Sequence, residues 1–187
     1  MRISLLVRWL VGFLILSLGC RAGSLVGTVI ARGATDSGGG GGDKYASRKF
    51  KFLDRTEYES LRDFVVSIEG PVSAPSRAPM RNAITQVDGT FLPHVLPVMV
   101  GDTVDMLNED SIFHNVFSLS DAREFDLGLY QKPEKKSVVF DKVGRVDVMC
   151  SIHTQMSCVV LVLENSFFAL TDGTGRYAIK GLPAGKY

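Results

Sequence analysis

The segment Cys150-Ser151-Ile152-His153-Thr154-Gln155-Met156 places a thiol, an imidazole and a thioether within seven residues, close enough for one metal ion to reach all three. The runs on either side, Arg145–Cys150 and Cys158–Leu163, read as strands, so the donors sit on a tight loop between two scaffold strands. A further donor has to come from elsewhere. His114 is the candidate, because it begins an apolar strand within Phe113–Leu119, just after the polar turn Asn108–Ser111. Two imidazoles, one thiolate and a weak axial thioether are the ligand set of a blue-copper electron-transfer site. Cu(I) favours soft, low-coordinate sites while Cu(II) accepts imidazole, and a rigid compromise lets the oxidation state change with little ligand movement.

Each donor also has an ordinary reading. A lone histidine on an apolar strand is commonly structural, Cys150 alone is a buried thiol, and Met156 alone fills a core. A Cys150–Cys158 disulfide is the main rival, since it would compete with the metal. The metal reading rests on all four donors occurring together. Phe113, Met149 and Ile152 are expected to form an apolar shell that keeps water from the metal. His94, which follows Pro93, is expected to be structural, and Cys158 to be a buried small hydrophobe.

Holding such donors requires rigid elements, and the chain reads as almost entirely β. Short β-rich runs recur at Ala83–Val87, His94–Val100, Thr103–Leu107, Phe113–Leu119, Ser137–Phe140, Arg145–Cys150 and Cys158–Leu163, a spacing that argues for a β-sandwich. In Arg145–Cys150 the alternation sets Val146, Val148 and Cys150 on one face, so the thiol points inward. Ser24–Ala31 and Asp63–Gly70 read as further strands, separated by the glycine run 38–42 and the mixed charged segment Lys44–Arg62. After Leu163 come Phe167–Thr171, a turn at 172–175 and Arg176–Ile179, and Gly181–Tyr187 reads as the approach to another strand.

The chain has 187 residues, 45% hydrophobic and 22% charged, enough for one ordinary domain or two small ones. Lys plus Arg (21) nearly balances Asp plus Glu (20), and without Arg2 and Arg8 the mature chain has a net charge of about −1, which argues against a nucleic-acid partner. Three histidines and three cysteines exclude multinuclear copper enzymes and zinc-ribbon arrays. A copper oxidase or nitrite reductase needs further histidines, and only His94 remains, so the chain is not expected to be an enzyme. Residues 1–20, with Arg2 and Arg8 before the apolar run Trp9–Gly19, read as an export signal. Ser17-Leu18-Gly19-Cys20 resembles a bacterial lipobox, leaving two routes: lipidation of Cys20 with membrane attachment, or ordinary cleavage after Ala22. Both deliver the protein outside the cytoplasm, to the periplasm or outer envelope.

His-Asn at 114–115 together with Cys-x-x-His-x-x-Met at 150–156 resembles the cupredoxins of the plastocyanin, pseudoazurin and amicyanin group, with amicyanin-like spacing of the ligand loop. Phe91-Leu92-Pro93, Val100–Val104 and Asn108-x-Asp110 are similar to the approach to the first ligand in these proteins. The motif Phe125–Tyr130 resembles that of methylamine-utilisation-type, plastocyanin-like proteins. Thr154 stands where many cupredoxins have proline. The resemblance covers about Arg81–Leu163 and implies a Greek-key β-sandwich at 81–163 with one type 1 copper held by His114, Cys150, His153 and Met156. It also implies that Asn115 braces the site, its backbone N–H near the Cys150 sulfur and its side chain bonded to the loop at Ser151. Segments 23–72 and 165–187 are similar to the two halves of a carboxypeptidase-regulatory-like, transthyretin-type sandwich, which implies a cupredoxin inserted into or flanked by that sandwich; sequence order alone also permits three consecutive modules.

The expected function is that of an exported single-electron carrier between redox protein partners. Two readings compete with it: a periplasmic copper-handling protein, which would need exposed ligands and fast exchange, and a cell-envelope β-sandwich binding module.

Overall fold

The computed structural model describes residues 22–30, 61–70, 72 and 77–187. The export signal, Cys20, the glycine run 38–42 and most of the charged segment 44–62 lie outside these residues. Among the described residues all regular structure is β.

Two sheets make up the larger unit. One has five strands in the order β5 (Val95–Met99), β11 (Ser157–Leu163), β10 (Gly144–Met149), β7 (His114–Ser120) and β8 (Arg123–Tyr130). The other has four, in the order β4 (Thr90–Leu92), β3 (Arg81–Val87), β6 (Thr103–Asn108) and β9 (Lys135–Val139). The β5/β11 and β3/β6 pairs are parallel, and the other neighbours antiparallel. Strand alternation explains the core. In β11, Cys158, Val160 and Val162 are buried while Ser157, Val159 and Leu161 are less so. Val146, Val148 and Cys150 do the same on β10 and just beyond it, as the sequence predicts. These faces meet Ile84, Val104, Met106 and Val138 of the second sheet in one hydrophobic core. Each such side chain contributes about 1.5–3 kcal/mol of burial. The result is the all-β sandwich that the sequence implies.

All seven β runs expected between Ala83 and Leu163 are strands, with small changes at their ends. β4 and β8 are additional. β4 follows a two-residue turn, Asp88-Gly89, with φ of 52° and 67°. Positive φ at both positions makes it the type I′ geometry that suits the twist of a tight hairpin, and Asp-Gly is a common sequence for it.

The remaining strands join chain segments on either side of the sandwich. β1 (Gly23–Thr28) pairs antiparallel with β13 (Arg176–Leu182), and β2 (Val65–Ser67) with β12 (Phe168–Leu170). A separate small cluster of Phe167, Ile179 and Leu182 packs with Val66, Ile68 and Tyr177. β13 runs on through Gly181 and Leu182, so these two residues extend the existing strand rather than starting a new one.

Candidate metal centre

His114 opens β7 and is completely buried, with its ring between two sets of partners. Cys150 follows the last residue of β10, the strand next to β7, and is 4% exposed. The chain then turns back. The Met156 N–H donates to the His153 carbonyl at 2.9 Å, and the Cys150 N–H to the Met156 carbonyl at 3.2 Å, closing the loop and holding His153 beside the thiol. His153 is partly exposed and Met156 is buried in the main core.

The three donor atoms form a small triangle. His114 Nδ1 and His153 Nδ1 are 3.0 Å apart, and each is 3.8 Å from Cys150 Sγ. A point in the plane of that triangle lies about 2.1 Å from all three atoms, against bond lengths of about 2.0–2.1 Å to imidazole and about 2.3 Å to thiolate for a first-row ion such as zinc. The donor set fits one transition-metal ion without rearrangement. Among the described residues these three are the one cluster of His, Cys or acidic side chains able to hold a metal.

Other expected residues fall into place around it. Cys150 and Cys158 are both free, so no disulfide competes for the thiol. Cys158 is buried on β11, and burial pushes its thiol pKa up to about 12, in keeping with an inert core residue. His94 is exposed and outside the cluster, and its backbone carbonyl accepts from the Val159 N–H.

Two expectations are corrected. The Asn115 side chain does not bond to the loop at Ser151, which is exposed. Its Nδ2 donates to Asp126 Oδ1 on β8 at 2.6 Å. The reason lies in β8, where an extra residue interrupts the register between the Asn115–Leu129 and Phe117–Asp126 pairs. Gly128 sits in this irregularity at φ 66°, and its N–H also donates to Asp126 Oδ1. These two donors hold the Asp126 carboxyl below its ordinary pKa range. Phe113 and Ile152, in turn, do not seal the centre from water, since each is about half exposed at 50% and 49%. Phe113 directly precedes the inward-facing His114, so the alternation of β7 turns it toward solvent, and Ile152 lies on the exposed turn of the ligand loop. A shallow open depression of about 270 Å³ lies beside Ile152, bounded in part by Asn115, Asp126 and Leu129.

Asp110, which has no expected role of its own, also faces the centre. Its Oδ2 lies 2.8 Å from His114 Nε2, on the far side of the ring from the thiol. Burial pushes the carboxyl pKa up, but the Gly89 N–H, the His114 ring and the Asp88 N–H together bring it below the ordinary value. The spacing Asn108-x-Asp110 was the only signal for it. Behind this turn, Asn108 Nδ2 donates to the carbonyls of Ile112 and Tyr130, and Gln86 Nε2 donates to the buried Tyr130 hydroxyl.

No family model and no curated protein matches the chain. Among solved structures it is similar to a Cu-containing nitrite reductase from Thermus scotoductus SA-01, at 26% identity and a TM-score of 0.44, over 52% of this chain and 25% of that one. It is also similar to a purple cupredoxin from Nitrosopumilus maritimus, at 24% identity and a TM-score of 0.40, over 44% of this chain and 99% of that one. A reduced mutant of amicyanin shows 24% identity and a TM-score of 0.43, over 54% of this chain and all of the other. The chain thus spans a quarter of the length of the nitrite reductase chain.

Proposed function

We propose that this chain is a cupredoxin-type protein that binds one type 1 copper and carries single electrons between redox protein partners, without being an enzyme itself. The observation that carries the reading is the His114–His153–Cys150 triangle, whose sides match one metal ion bound by two imidazoles and a thiolate. Met156, on the same closed loop, is the proposed axial thioether. Copper supplies a one-electron couple when held there.

The chain's own part is to hold the donors still. Two are fixed by neighbouring strands of one sheet, and the third by a loop closed with two backbone hydrogen bonds. A donor set that moves little costs little to reorganise when charge changes. Burial of His114 and Cys150 also argues against the copper-handling reading, which calls for accessible ligands and fast exchange. The partly exposed His153 ring, next in the chain to the exposed Ile152, offers a partner an approach to the centre.

The wider organisation is proposed on the same footing. The β1/β13 and β2/β12 pairs support reading 23–72 and 165–187 as two halves of one carboxypeptidase-regulatory-like unit interrupted by the copper domain. Residues 1–20 support export to the periplasm or outer envelope, with Cys20 as the proposed lipid anchor.

The test is Cu(II) titration of protein lacking residues 1–20, read by visible absorption and EPR, with Cys150→Ser alongside. An intense thiolate-to-copper band with narrow hyperfine splitting, both lost in the variant, is expected. Binding without that band, or binding of zinc alone, overturns the electron-transfer reading.

A further inference from the structure

We propose that Asp110 is a positioning residue for the metal centre, fixing the ring of His114 and holding the reduction potential of the bound copper down. The proposal rests on the copper reading above.

His114 is wholly buried, so neither ring nitrogen faces bulk solvent. Nδ1 faces Cys150 and His153, and Nε2 faces the Asp110 carboxylate at 2.8 Å. A carboxylate only accepts, so the ring proton sits on Nε2 and the Nδ1 lone pair is left for the metal. The carboxylate is itself held. The Asp88 N–H donates to Oδ1 at 2.7 Å and the Gly89 N–H to Oδ2 at 3.1 Å, both from the type I′ turn between β3 and β4. On its own backbone side, the Asp110 N–H donates to Asn108 Oδ1 at 2.9 Å. The aspartate thereby fastens a hairpin of one sheet to the first residue of β7 in the other.

A negative charge hydrogen-bonded to the remote nitrogen makes the imidazole a stronger donor. It stabilises the doubly charged oxidised ion more than the singly charged reduced one, so it lowers the potential. Removing the charge while keeping the shape must raise it.

The experiment compares copper-loaded wild type with Asp110→Asn, Asp110→Glu and Glu109→Gln. Glu109 is a half-exposed neighbour that pairs with Lys132, so its variant removes one charge without touching His114. Direct electrochemistry is expected to show Asp110→Asn favouring Cu(I) about tenfold more than wild type, a shift of about +59 mV for a one-electron couple. Glu109→Gln is expected to leave the potential in place, and Asp110→Glu to restore most of it. A fall in melting temperature with no change in potential in Asp110→Asn overturns the proposal, leaving Asp110 a purely structural tie. An equal shift in Glu109→Gln overturns it as well, since any nearby charge would then suffice.

Should Asp110→Asn not hold copper, NMR of the Cu(I)-loaded wild type decides. A slowly exchanging proton on His114 Nε2 supports the proposal, and a proton absent from that nitrogen overturns it. A wild type without the thiolate band is a different failure, which removes the copper reading itself.

Discussion

Asn115, the residue beside the buried His114, is tied to Asp126 on the neighbouring strand by a 2.6 Å hydrogen bond and leaves the ligand loop to close itself. The centre is therefore braced from the side of β8, at the bulge around Gly128, as well as from the turn that carries Asp110.

Replacing Asn115 with alanine removes that brace without touching a donor atom. Copper affinity is expected to fall about 10- to 100-fold, the usual cost of losing an outer support to a metal ligand, while the thiolate band persists at saturating metal. Competition with a chelator of known affinity measures it. An unchanged affinity would mean that the β7 backbone alone holds the centre.

Metal removal should soften the whole sandwich. Copper that binds only the folded chain adds stability as RT ln(1 + [Cu]/Kd), about 4.1 kcal/mol at a thousand times Kd. The melting temperature of the apo protein should therefore rise with added copper, and Cys150→Ser should flatten that rise. Thermal unfolding at several copper concentrations reads both.

The pH dependence has a definite sign at Asp105. Hydrogen bonds from Arg81 and Ser137 lower its pKa from 3.8 to about 2, outweighing desolvation. A carboxyl that titrates lower in the folded state adds stability above its unfolded pKa and loses it as pH falls through the folded one. Wild type should accordingly exceed Asp105→Asn in stability by a constant margin above pH 3.8, a margin that shrinks away as pH falls toward about 2. Urea unfolding of both proteins across that interval checks it.

In the core, Phe140 is fully buried and stands edge-on to Phe125. Phe140→Ala is expected to cost about 3–5 kcal/mol, by lost burial and the cavity left behind. The urea midpoint should fall with the slope unchanged.

The flanking strands can be opened separately. Gly175 has φ 80°, its N–H donates to the Asp172 carbonyl, and an added Cβ would collide with the Val29 carbonyl. Gly175→Val should expose residues near β1 and β13 to limited proteolysis. The visible spectrum of the copper-loaded sandwich should not change, because the small cluster around Phe167 is separate from the main core.

Where a strand buries one face, the sequence carried the signal clearly. Val146, Val148 and Cys150 announced β10 by alternation, and the inward direction of the thiol followed. β8 was harder to see because Gly128 and the extra residue beside it break the period, and β4 because three residues hold no period at all. The Asp88-Gly89 turn was the missed clue to β4. Period two also places Phe113 on the face opposite His114, so its exposure was readable from spacing, whereas an apolar side chain beside a ligand suggests shelter. Asp110 and Asp126 were not readable as braces: a carboxylate's partner depends on which hairpin or bulge the fold brings up to it.

The pairing of Gly23–Thr28 with Arg176–Leu182 also constrains the order of assembly. During synthesis β1 emerges long before β13 exists, so its hydrogen-bonding edge has to wait while the intervening sandwich collapses on its more local contacts. Closing so long a loop is costly in entropy when the intervening chain is unfolded, and less so once the sandwich has shortened the path between its ends. The sandwich between them thus acts as the spacer that brings its own flanks together, and lesions in its core should delay the pairing of β1 with β13.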